Sequence, residues 1–356
     1  MMTFKKCIPL CIVIITIAGI GCKKYTAPEE VPVSTKKWVV TTIAGGDSAS
    51  FVNGPAPLAR FHFPLDVAVA ADGAIFVTDV QNHCIRKIAG SQVTTFAGTN
   101  LGIVNGHGLS AEFRHPFGIA IGGNENIYTT DVDDSRIRKI TPAADVTTYA
   151  GTDEDGAVDG DADTAQFRDE AQIATDALGN VYIADPQNNR IRKISTAGKV
   201  STIAGSDTAG FRNGNGSNAR FDFPSGIAVD KDGNVYVSDA GNSRIRKISP
   251  DGEVTSFAGN GISDNKDGDA STASFYYPTD LAIDGAGNLF VIDLDRIRKI
   301  TPQGAVSTIA GSTSGYVDGD ATLAKFNSPA GIGIDAQGNI SVAAPAPTRI
   351  RPISLQ

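Results

Sequence analysis

One stretch of the sequence spaces its carboxylates as a calcium-binding loop does. In DGDADTAQFRDE, the acids Asp159, Asp161, Asp163 and Glu170 stand at positions 1, 3, 5 and 12 of the EF-hand spacing, and oxygen ligands of this kind suit calcium. Position 6 of that spacing needs a glycine for a sharp turn, and here it is Thr164. No helical pattern flanks the loop. The stretch is therefore a calcium loop or a solvated acidic loop, and the sequence leaves both open.

His83 and Cys84 are two further side chains that could carry out chemistry. Adjacent residues on one strand point to opposite faces, so the pair does not predict a shared catalytic role. The sequence contains no G-x-S-x-G, H-E-x-x-H or C-x-x-C motif, which are the patterns of common hydrolase, metalloprotease and redox sites. The glycine-rich GNGSNA lies within a loop, whereas phosphate-binding loops join a strand to a helix. No catalytic residue is predicted.

These side chains belong to a chain that repeats one unit six times. The motif V-[TS]-[TS]-x-A-G places its valine at Val40, Val93, Val146, Val200, Val254 and Val306, spaced 53, 53, 54, 54 and 52 residues apart. Within the fourth copy, the segments GIAVD, NVYVSD, RIRKIS and VTSFAG have the composition of strands, and DKDGN and SPDGE have that of hairpin turns. A period near 50 residues with four strands predicts a six-bladed β-propeller of four-stranded antiparallel blades, an all-β fold.

The same residues resemble a known family. The segment PSGIAVDKDGNVYVSDAGNSRIRKI, residues 224–248, is similar to the NHL repeat, and the resemblance extends over residues 39–356. It implies a six-bladed propeller, and the connection NG…AxFxxP resembles that of bacterial NHL-type lipoproteins. The last copy, TRIRPI, lacks an outer strand, whereas VVTTIAG at residues 39–45 has no blade before it. We therefore expect this N-terminal strand to pair into the last blade and close the ring.

Several side chains recur in the blades and indicate a structural role. An acid ends the second strand and an arginine follows in the third, which favours bidentate ion pairs. Catalysis needs one special residue rather than equivalent copies. The acids are Asp79, Asp131, Asp185, Asp239 and Asp293, and the arginines are Arg86, Arg138, Arg192, Arg246 and Arg298; the sixth copy keeps Arg351 but has Ala344 in place of the acid. A phenylalanine in each connection is predicted to fill the space between blades.

One set of equivalent positions differs between blades. In a propeller the first strand lines the axial channel, and the second residue after the proline position lies near the channel mouth. Around the ring this position is Asp66, Gly118, Gln172, Gly226, Asp280 and Gly331. Two carboxylates and an amide can bind a hard cation such as calcium, or hydrogen-bond a polar ligand. We predict a ligand site at Asp66, Gln172 and Asp280, with Asp66 and Asp280 as candidate metal ligands; an open, wet channel that tolerates any residue is the alternative.

The N-terminal residues predict export. Residues 1–21 have a basic start and an apolar run of a signal peptide, and IAGIGC is similar to the lipobox of bacterial lipoproteins, which implies lipidation at Cys22. Residues 22–36 read as a flexible tether, and residues 37–356 form the propeller. Removing residues 1–21 takes Lys5 and Lys6 from the 31 basic residues, which leaves 29 against 39 acidic ones, a net charge of −10.

The sequence as a whole favours a binding protein over an enzyme, although the enzyme question stays open. We expect a lipid-anchored propeller of the bacterial cell envelope, at the outer membrane on its periplasmic or surface face, that binds a glycan, peptide or protein. Its contact with the membrane is the lipid anchor alone, and the acidic balance disfavours nucleic acid. The alternative is a metal-dependent hydrolase, lactonase or lyase similar to gluconolactonase-type propellers, with calcium or another divalent cation as cofactor. Those propellers bring Glu, Asn, Asp or His side chains to the axis.

Overall fold

The computed structural model describes residues 36–168 and 172–356, and these residues fold into six antiparallel sheets. The all-β six-bladed propeller is thereby confirmed. From the inner to the outer strand, the sheets contain Pro64–Val69, Ile75–Asp79, Cys84–Ala89 and Gln92–Ala97 in blade 1; His115–Ile121, Ile127–Val132, Arg136–Ile140 and Asp145–Ala150 in blade 2; Gln172–Thr175, Val181–Asp185, Arg190–Ile194 and Lys199–Gly205 in blade 3; Pro224–Val229, Val235–Asp239, Arg244–Ile248 and Glu253–Ala258 in blade 4; Pro278–Ile283, Leu289–Asp293, Arg296–Ile300 and Val306–Ala310 in blade 5; and Gly331–Ile334, Ile340–Ala344, Arg349–Leu355 and Trp38–Val40 in blade 6.

Short elements of the connections complete the sheets. Two-residue strands add to the outer edge of five blades, and Ala44–Gly45 pairs with the third strand of blade 6. These strands are Gly54–Pro55, Gly106–His107, Gly160–Asp161, Gly214–Asn215 and Gly319–Asp320, and the 3-10 turns are Val80–Asn82, Gly108–Ser110, Pro186–Asn188, Gly216–Asn218 and Ala240–Asn242. None of the residues that the structure describes forms a helix long and apolar enough to cross a bilayer.

Blade 4 shows why the repeat sequence folds in this way. All five residues of Val235–Asp239 are buried, because both faces of a blade are covered by neighbouring blades. The turn before this strand is held by Asp230, whose Oδ1 accepts a hydrogen bond of 2.8 Å from the Asn234 backbone N–H. Gly233 has φ +81° there, a conformation that glycine adopts without steric cost. The sequence thus fixes the hairpin by its Asp, Gly and Asn.

The hydrophobic core lies between blades. In the gap between blades 3 and 4, Ala184 and Ile191 of one blade pack with Val237 and Ile227 of the other around Phe221. Each gap has such a phenylalanine, and each is at most 2% exposed: Phe61, Phe113, Phe167, Phe221, Phe275 and Phe326. Burial of an aromatic side chain stabilises by about 2–3 kcal/mol. The blades therefore depend on one another for their cores.

The N-terminal strand closes the ring, as predicted. Trp38–Val40 pairs antiparallel with Arg349–Leu355, with Val40 opposite Ile353. Val40 is fully buried in the core between blades 5 and 6, and the Trp38 ring lies 6.3 Å from the Phe290 ring. Blade 6 is thus assembled from both ends of the described chain.

Each blade has a buried arginine on its third strand. The five predicted arginines pair with the five predicted acids. The distances are 2.6 Å for Arg86–Asp79, 3.1 Å for Arg138–Asp131, 3.3 Å for Arg192–Asp185, 2.6 Å for Arg246–Asp239 and 2.7 Å for Arg298–Asp293. Arg246 shows the full arrangement, since its guanidinium also donates to the Arg220 and Arg212 carbonyls and lies 5.0 Å from the centre of the Phe221 ring. Each arginine therefore ties the connection to its sheet.

The connection supplies a second partner that the sequence reasoning missed. Arg246 donates at 2.9 Å to Asn213 Oδ1, a residue of the [ND]-G motif that recurs in every copy. In blade 6, Asp318 at this position pairs with Arg351 at 2.7 Å, which explains how that blade tolerates Ala344. Blades 3 and 5 have an aspartate at both positions, whereas blade 4 has only Asp239. The number of carboxylates around the arginine therefore differs from blade to blade.

Candidate functional site

At two of its three glycines, the alternation of polar residues and glycines at the axial position has a steric cause. A Cβ on Gly331 would lie 2.3 Å from Asp66 Oδ1, and a Cβ on Gly226 would lie 2.6 Å from Asp280 Cα. Both distances are far shorter than a Cβ contact allows. Each glycine therefore lets the next inner strand approach closely, and the side chains of Asp66 and Asp280 occupy the space at this level.

The two axial carboxylates join neighbouring blades. Asp66 Oδ1 accepts a hydrogen bond of 2.7 Å from its own neighbour Val67, and Oδ2 accepts one of 2.9 Å from Ile119 N–H in blade 2. Asp280 is held in the same way: its Oδ1 accepts a hydrogen bond of 2.8 Å from Leu281 N–H, and its Oδ2 accepts one of 2.9 Å from Ile332 N–H in blade 6. All four carboxylate oxygens thus accept backbone amides. A register shift between Pro64 and Val67 turns Asp66 into this position, as β-bulges commonly do.

The structure brings the three predicted axial residues together and buries them. Asp66, Gln172 and Asp280 are 4%, 7% and 5% exposed, so an open, wet channel does not describe this level of the axis. Burial raises the pKa of Asp66 to about 7, against hydrogen bonds from Ile119, Val67 and the Gln172 side chain that lower it. Burial and then the nearby negative charge of Asp66 raise the pKa of Asp280 well above its ordinary value. The two carboxyl groups therefore resist being charged at the same time.

The oxygens of the axial carboxylates are engaged with backbone amides. Calcium takes six to eight oxygen ligands, whereas the oxygens of Asp66 and Asp280 already accept four backbone amides. Within residues 36–168 and 172–356, no group of three or more His, Cys, Asp or Glu side chains is arranged to hold a metal ion. The geometry at the axis suits hydrogen bonding and blade joining better than metal ligation.

The acidic loop of blade 3 is engaged in ion pairs. Asp159 lies 2.8 Å from Arg192 and accepts the Thr202 backbone N–H at 2.9 Å, and Asp161 pairs with Lys199. Asp163 is exposed, and Glu170 lies outside the described residues. The described part of this loop therefore fits the solvated alternative, with Asp159 serving as the second carboxylate of Arg192.

A pocket of about 370 Å³ lies above the axial carboxylates, on the face that carries the connections. The residue before the axial position contributes from five blades: Leu65, Phe117, Ser225, Thr279 and Ala330. Convergence from five blades places the pocket over the axis. Of the predicted site residues that the structure describes, Gln172 lines this pocket. Phe63, Phe223 and several prolines complete a mainly apolar wall, and its described residues include no charged side chain.

The pocket wall contains backbone strain and a hydrogen-bonding group without a partner. Phe63 and Phe223 have φ of +64° and +52°, a left-handed conformation that is uncommon for a bulky residue. Thr279 Oγ1 is buried and has no hydrogen-bond partner among the described residues. Strained residues and unsatisfied polar groups concentrate at ligand sites. This wall was not predicted from the sequence, although the residues at the positions of Phe63 and Thr279 vary between blades, and this variation is a signal that could have indicated it.

Below the carboxylates the axial channel continues between mainly aliphatic side chains. It encloses about 190 Å³ and is lined by the inner strands of all six blades, including Val67, Ile119, Ile173, Ile227 and Leu281. The axis therefore has three levels: a mainly apolar pocket at the mouth, a polar level formed by Asp66, Gln172 and Asp280, and a channel lined by aliphatic side chains. A ligand that enters from the connection face meets the first level before the polar one.

Comparison with known proteins finds an NHL repeat at residues 61–88 and a match to the Teneurin NHL domain at residues 154–249. The chain is 27% identical over 277 residues to Protein SUPPRESSOR OF QUENCHING 1, chloroplastic, of Arabidopsis thaliana, which covers 71% of this chain and 26% of that protein. It is 26% identical over 384 residues to Teneurin-3 of Mus musculus, which covers 90% of this chain and 14% of that protein. The chain thus spans about a quarter of these relatives or less.

Solved structures show the same fold at lower identity. An auxiliary nutrient binding protein from Bacteroides ovatus has a TM-score of 0.67 at 16% identity, over 90% of this chain and 77% of that one. A gluconolactonase from Xanthomonas campestris has a TM-score of 0.58 at 11% identity, over 89% of both chains. With the sheet order and the family matches, these likenesses show that the chain is a six-bladed β-propeller carrying NHL repeat sequence.

Proposed function

We propose that the protein is a binding module that holds an uncharged ligand in the axial pocket on its connection face. The observation that carries this proposal is the pocket itself: about 370 Å³, centred on the axis and walled by Phe63, Phe117 and Phe223. Small-ligand sites are typically concave, mostly apolar and provided with a few polar groups. Here Gln172 and Thr279 supply polar groups on the wall.

The wall chemistry selects the ligand class. Phenylalanine and proline contact an apolar face, and the hydroxyl of Thr279 and the amide of Gln172 can hydrogen-bond a hydroxyl or amide. No acid or base is among the described residues that line the pocket, so none of these residues compensates a charged ligand for its lost hydration. A neutral glycan and an uncharged peptide or protein segment both meet these requirements. The fold likeness to an auxiliary nutrient binding protein agrees with such a role.

Changing Phe63 and Phe223 together to glycine is expected to weaken ligand binding without unfolding the protein. Glycine removes the aromatic wall and relieves a left-handed strain of about 1–2 kcal/mol per residue, which offsets its entropic cost of about 0.5–1 kcal/mol. The measurement is a screen of the full chain against neutral glycans and uncharged peptides, followed by calorimetric titration of the ligand found. We expect affinity to fall at least about tenfold while the melting temperature stays close to that of the parent.

Leu178→Ala is the matched control, because Leu178 is 80% exposed in a hairpin turn at the other end of blade 3. It should bind as the parent does. Full binding by the Phe63→Gly, Phe223→Gly double variant would show that the axial pocket is not the site.

We further propose that the propeller is exported and held at the cell envelope by a lipid on Cys22, with the membrane touched through this anchor alone. The support is the signal-like run in residues 1–21 and the lipobox-like IAGIGC, which lie outside the described residues. Cys22→Ala should abolish incorporation of labelled fatty acid, whereas Cys11→Ala should leave it unchanged. Persistent labelling of Cys22→Ala would overturn this anchor.

An enzyme of the gluconolactonase kind receives less support. Such a reaction needs an acid, base or metal that meets the substrate, whereas the oxygens of Asp66 and Asp280 accept backbone amides beneath the pocket. Turnover of a lactone by the parent, lost in the Phe63→Gly, Phe223→Gly double variant, would establish the enzyme in place of the binding module.

A further inference from the structure

Two of the four histidines lie side by side on the connection face, between blades 1 and 2. The ring centres of His83 and His115 are 5.1 Å apart, with the rings tilted by 56°. His115 occupies the position in blade 2 that Phe63 and Phe223 hold in their blades. Both side chains are partly exposed, so the pair is open to solvent.

The Nδ1 atoms of His83 and His115 each hydrogen-bond to an oxygen atom. His83 Nδ1 contacts the carbonyl oxygen of Arg114, and His115 Nδ1 lies 2.7 Å from Asp133 Oδ2. A carbonyl or carboxylate oxygen only accepts, so each Nδ1 carries the proton of the neutral ring. Each Nε2 then presents a free lone pair. Metal-binding histidines are oriented in this way, with one ring nitrogen on an oxygen acceptor and the other on the metal.

The spacing of the rings suits a shared tetrahedral metal. With a metal–nitrogen distance of about 2.0–2.1 Å, a ring centre lies about 3.2 Å from the metal, and two rings at a tetrahedral angle have centres about 5.2 Å apart. The observed separation is 5.1 Å. The distance between His83 and His115 thus agrees with that of two imidazoles on one ion.

From this geometry we infer a transition-metal site at His83 and His115, which binds a divalent ion such as zinc, copper or nickel through the two Nε2 atoms. Imidazole suits these metals, whereas calcium and magnesium prefer oxygen. Since the described residues contain no group of three or more metal-binding side chains, the pair supplies two ligands and the remaining positions belong to water or to a donor from a bound molecule. This site is independent of the axial pocket and of what the pocket binds.

The test is titration of the full chain with Zn²⁺ alone, and with Cu²⁺ followed by electron paramagnetic resonance. We expect hyperfine structure from two imidazole nitrogens in the copper spectrum. His83→Asn and His115→Phe should each weaken zinc binding at least about tenfold, and Asp133→Asn by about tenfold through loss of its hold on Nδ1. The two ligand variants copy residues found in other blades: Asn189 has φ +51° as His83 has +55°, and Phe223 is equivalent to His115.

His107→Asn is the matched control. Its Nδ1 also lies on a carboxylate, 2.9 Å from Asp145, and in the described residues its ring contacts no other aromatic ring. This variant should bind zinc within about twofold of the parent. Equal loss in His107→Asn, unchanged binding in His83→Asn, or a one-nitrogen copper spectrum would each overturn the two-histidine site.

Discussion

Deletion of residues 37–46 is expected to leave the propeller unable to reach a stable fold. The deletion removes the strand opposite Arg349–Leu355, including the reciprocal hydrogen bonds of 2.7 and 2.8 Å between Lys37 and Gln356. It also removes Val40 from the core between blades 5 and 6. Blade 6 would then expose an unpaired edge and an apolar face, a combination that favours aggregation. Circular dichroism melting and the soluble yield measure the effect.

A point substitution tests the contribution of the buried N-terminal strand without shortening the chain. Val40→Asp keeps the backbone but buries a carboxylate at a fully buried position, and it should destabilise by more than about 3 kcal/mol. Thr41→Asp, at the exposed neighbouring position, should change stability little. If the deletion variant melts as the parent does, the ring does not depend on its N-terminal strand.

Asp239→Ala should cost the protein about 3–5 kcal/mol, because it leaves Arg246 buried with only neutral partners. Both side chains are fully buried, and the remaining side-chain acceptor of Arg246 is Asn213. Asp293→Ala is the matched comparison and should cost less, about 1–3 kcal/mol, because Arg298 keeps Asp267 at 2.8 Å. Urea denaturation of the two variants gives the comparison.

A compensating change tests the same idea in one blade. Asn213→Asp, added to Asp239→Ala, recreates in blade 4 the arrangement of blade 6, where Asp318 pairs with Arg351 and Ala344 replaces the other acid. We expect this second change to restore part of the lost stability. If Asp239→Ala and Asp293→Ala lower the free energy of unfolding equally, the number of carboxylates around the buried arginine does not determine how much each blade depends on its acid.

The fold followed from sequence because its signals are local and repeated. The turn residues and strand alternation of residues 224–258 recur six times. The extra strand at residues 39–45 supplies the outer strand that the last copy lacks. The partner Asn213 was missed because it lies 33 residues from Arg246, and pattern alone does not show which loop returns to which guanidinium. Contacts of this kind depend on the path of the connection in space.

The candidate site was predictable only in part. The axial set was correctly placed on the inner strands, and Asp66 and Gln172 do interact. Their burial was not foreseen, because it depends on the local bulge between Pro64 and Val67 and on how closely the neighbouring glycines let the strands approach. The positive φ of Phe63 and Phe223 has no sequence signature, since neither is glycine or asparagine.

Blade 6 combines strands that are made at the beginning and at the end of propeller synthesis. Trp38 and Val40 leave the ribosome among the first residues of the propeller, whereas their partners Leu355 and Ile353 leave among the last. At about 5–20 residues per second, synthesis of the intervening chain takes roughly 15–60 s. For that time the first strand has no partner, although five blades can already be made. The newly made chain therefore exposes an apolar, unpaired strand that a chaperone can hold, and the ring can close only after the last strand has emerged.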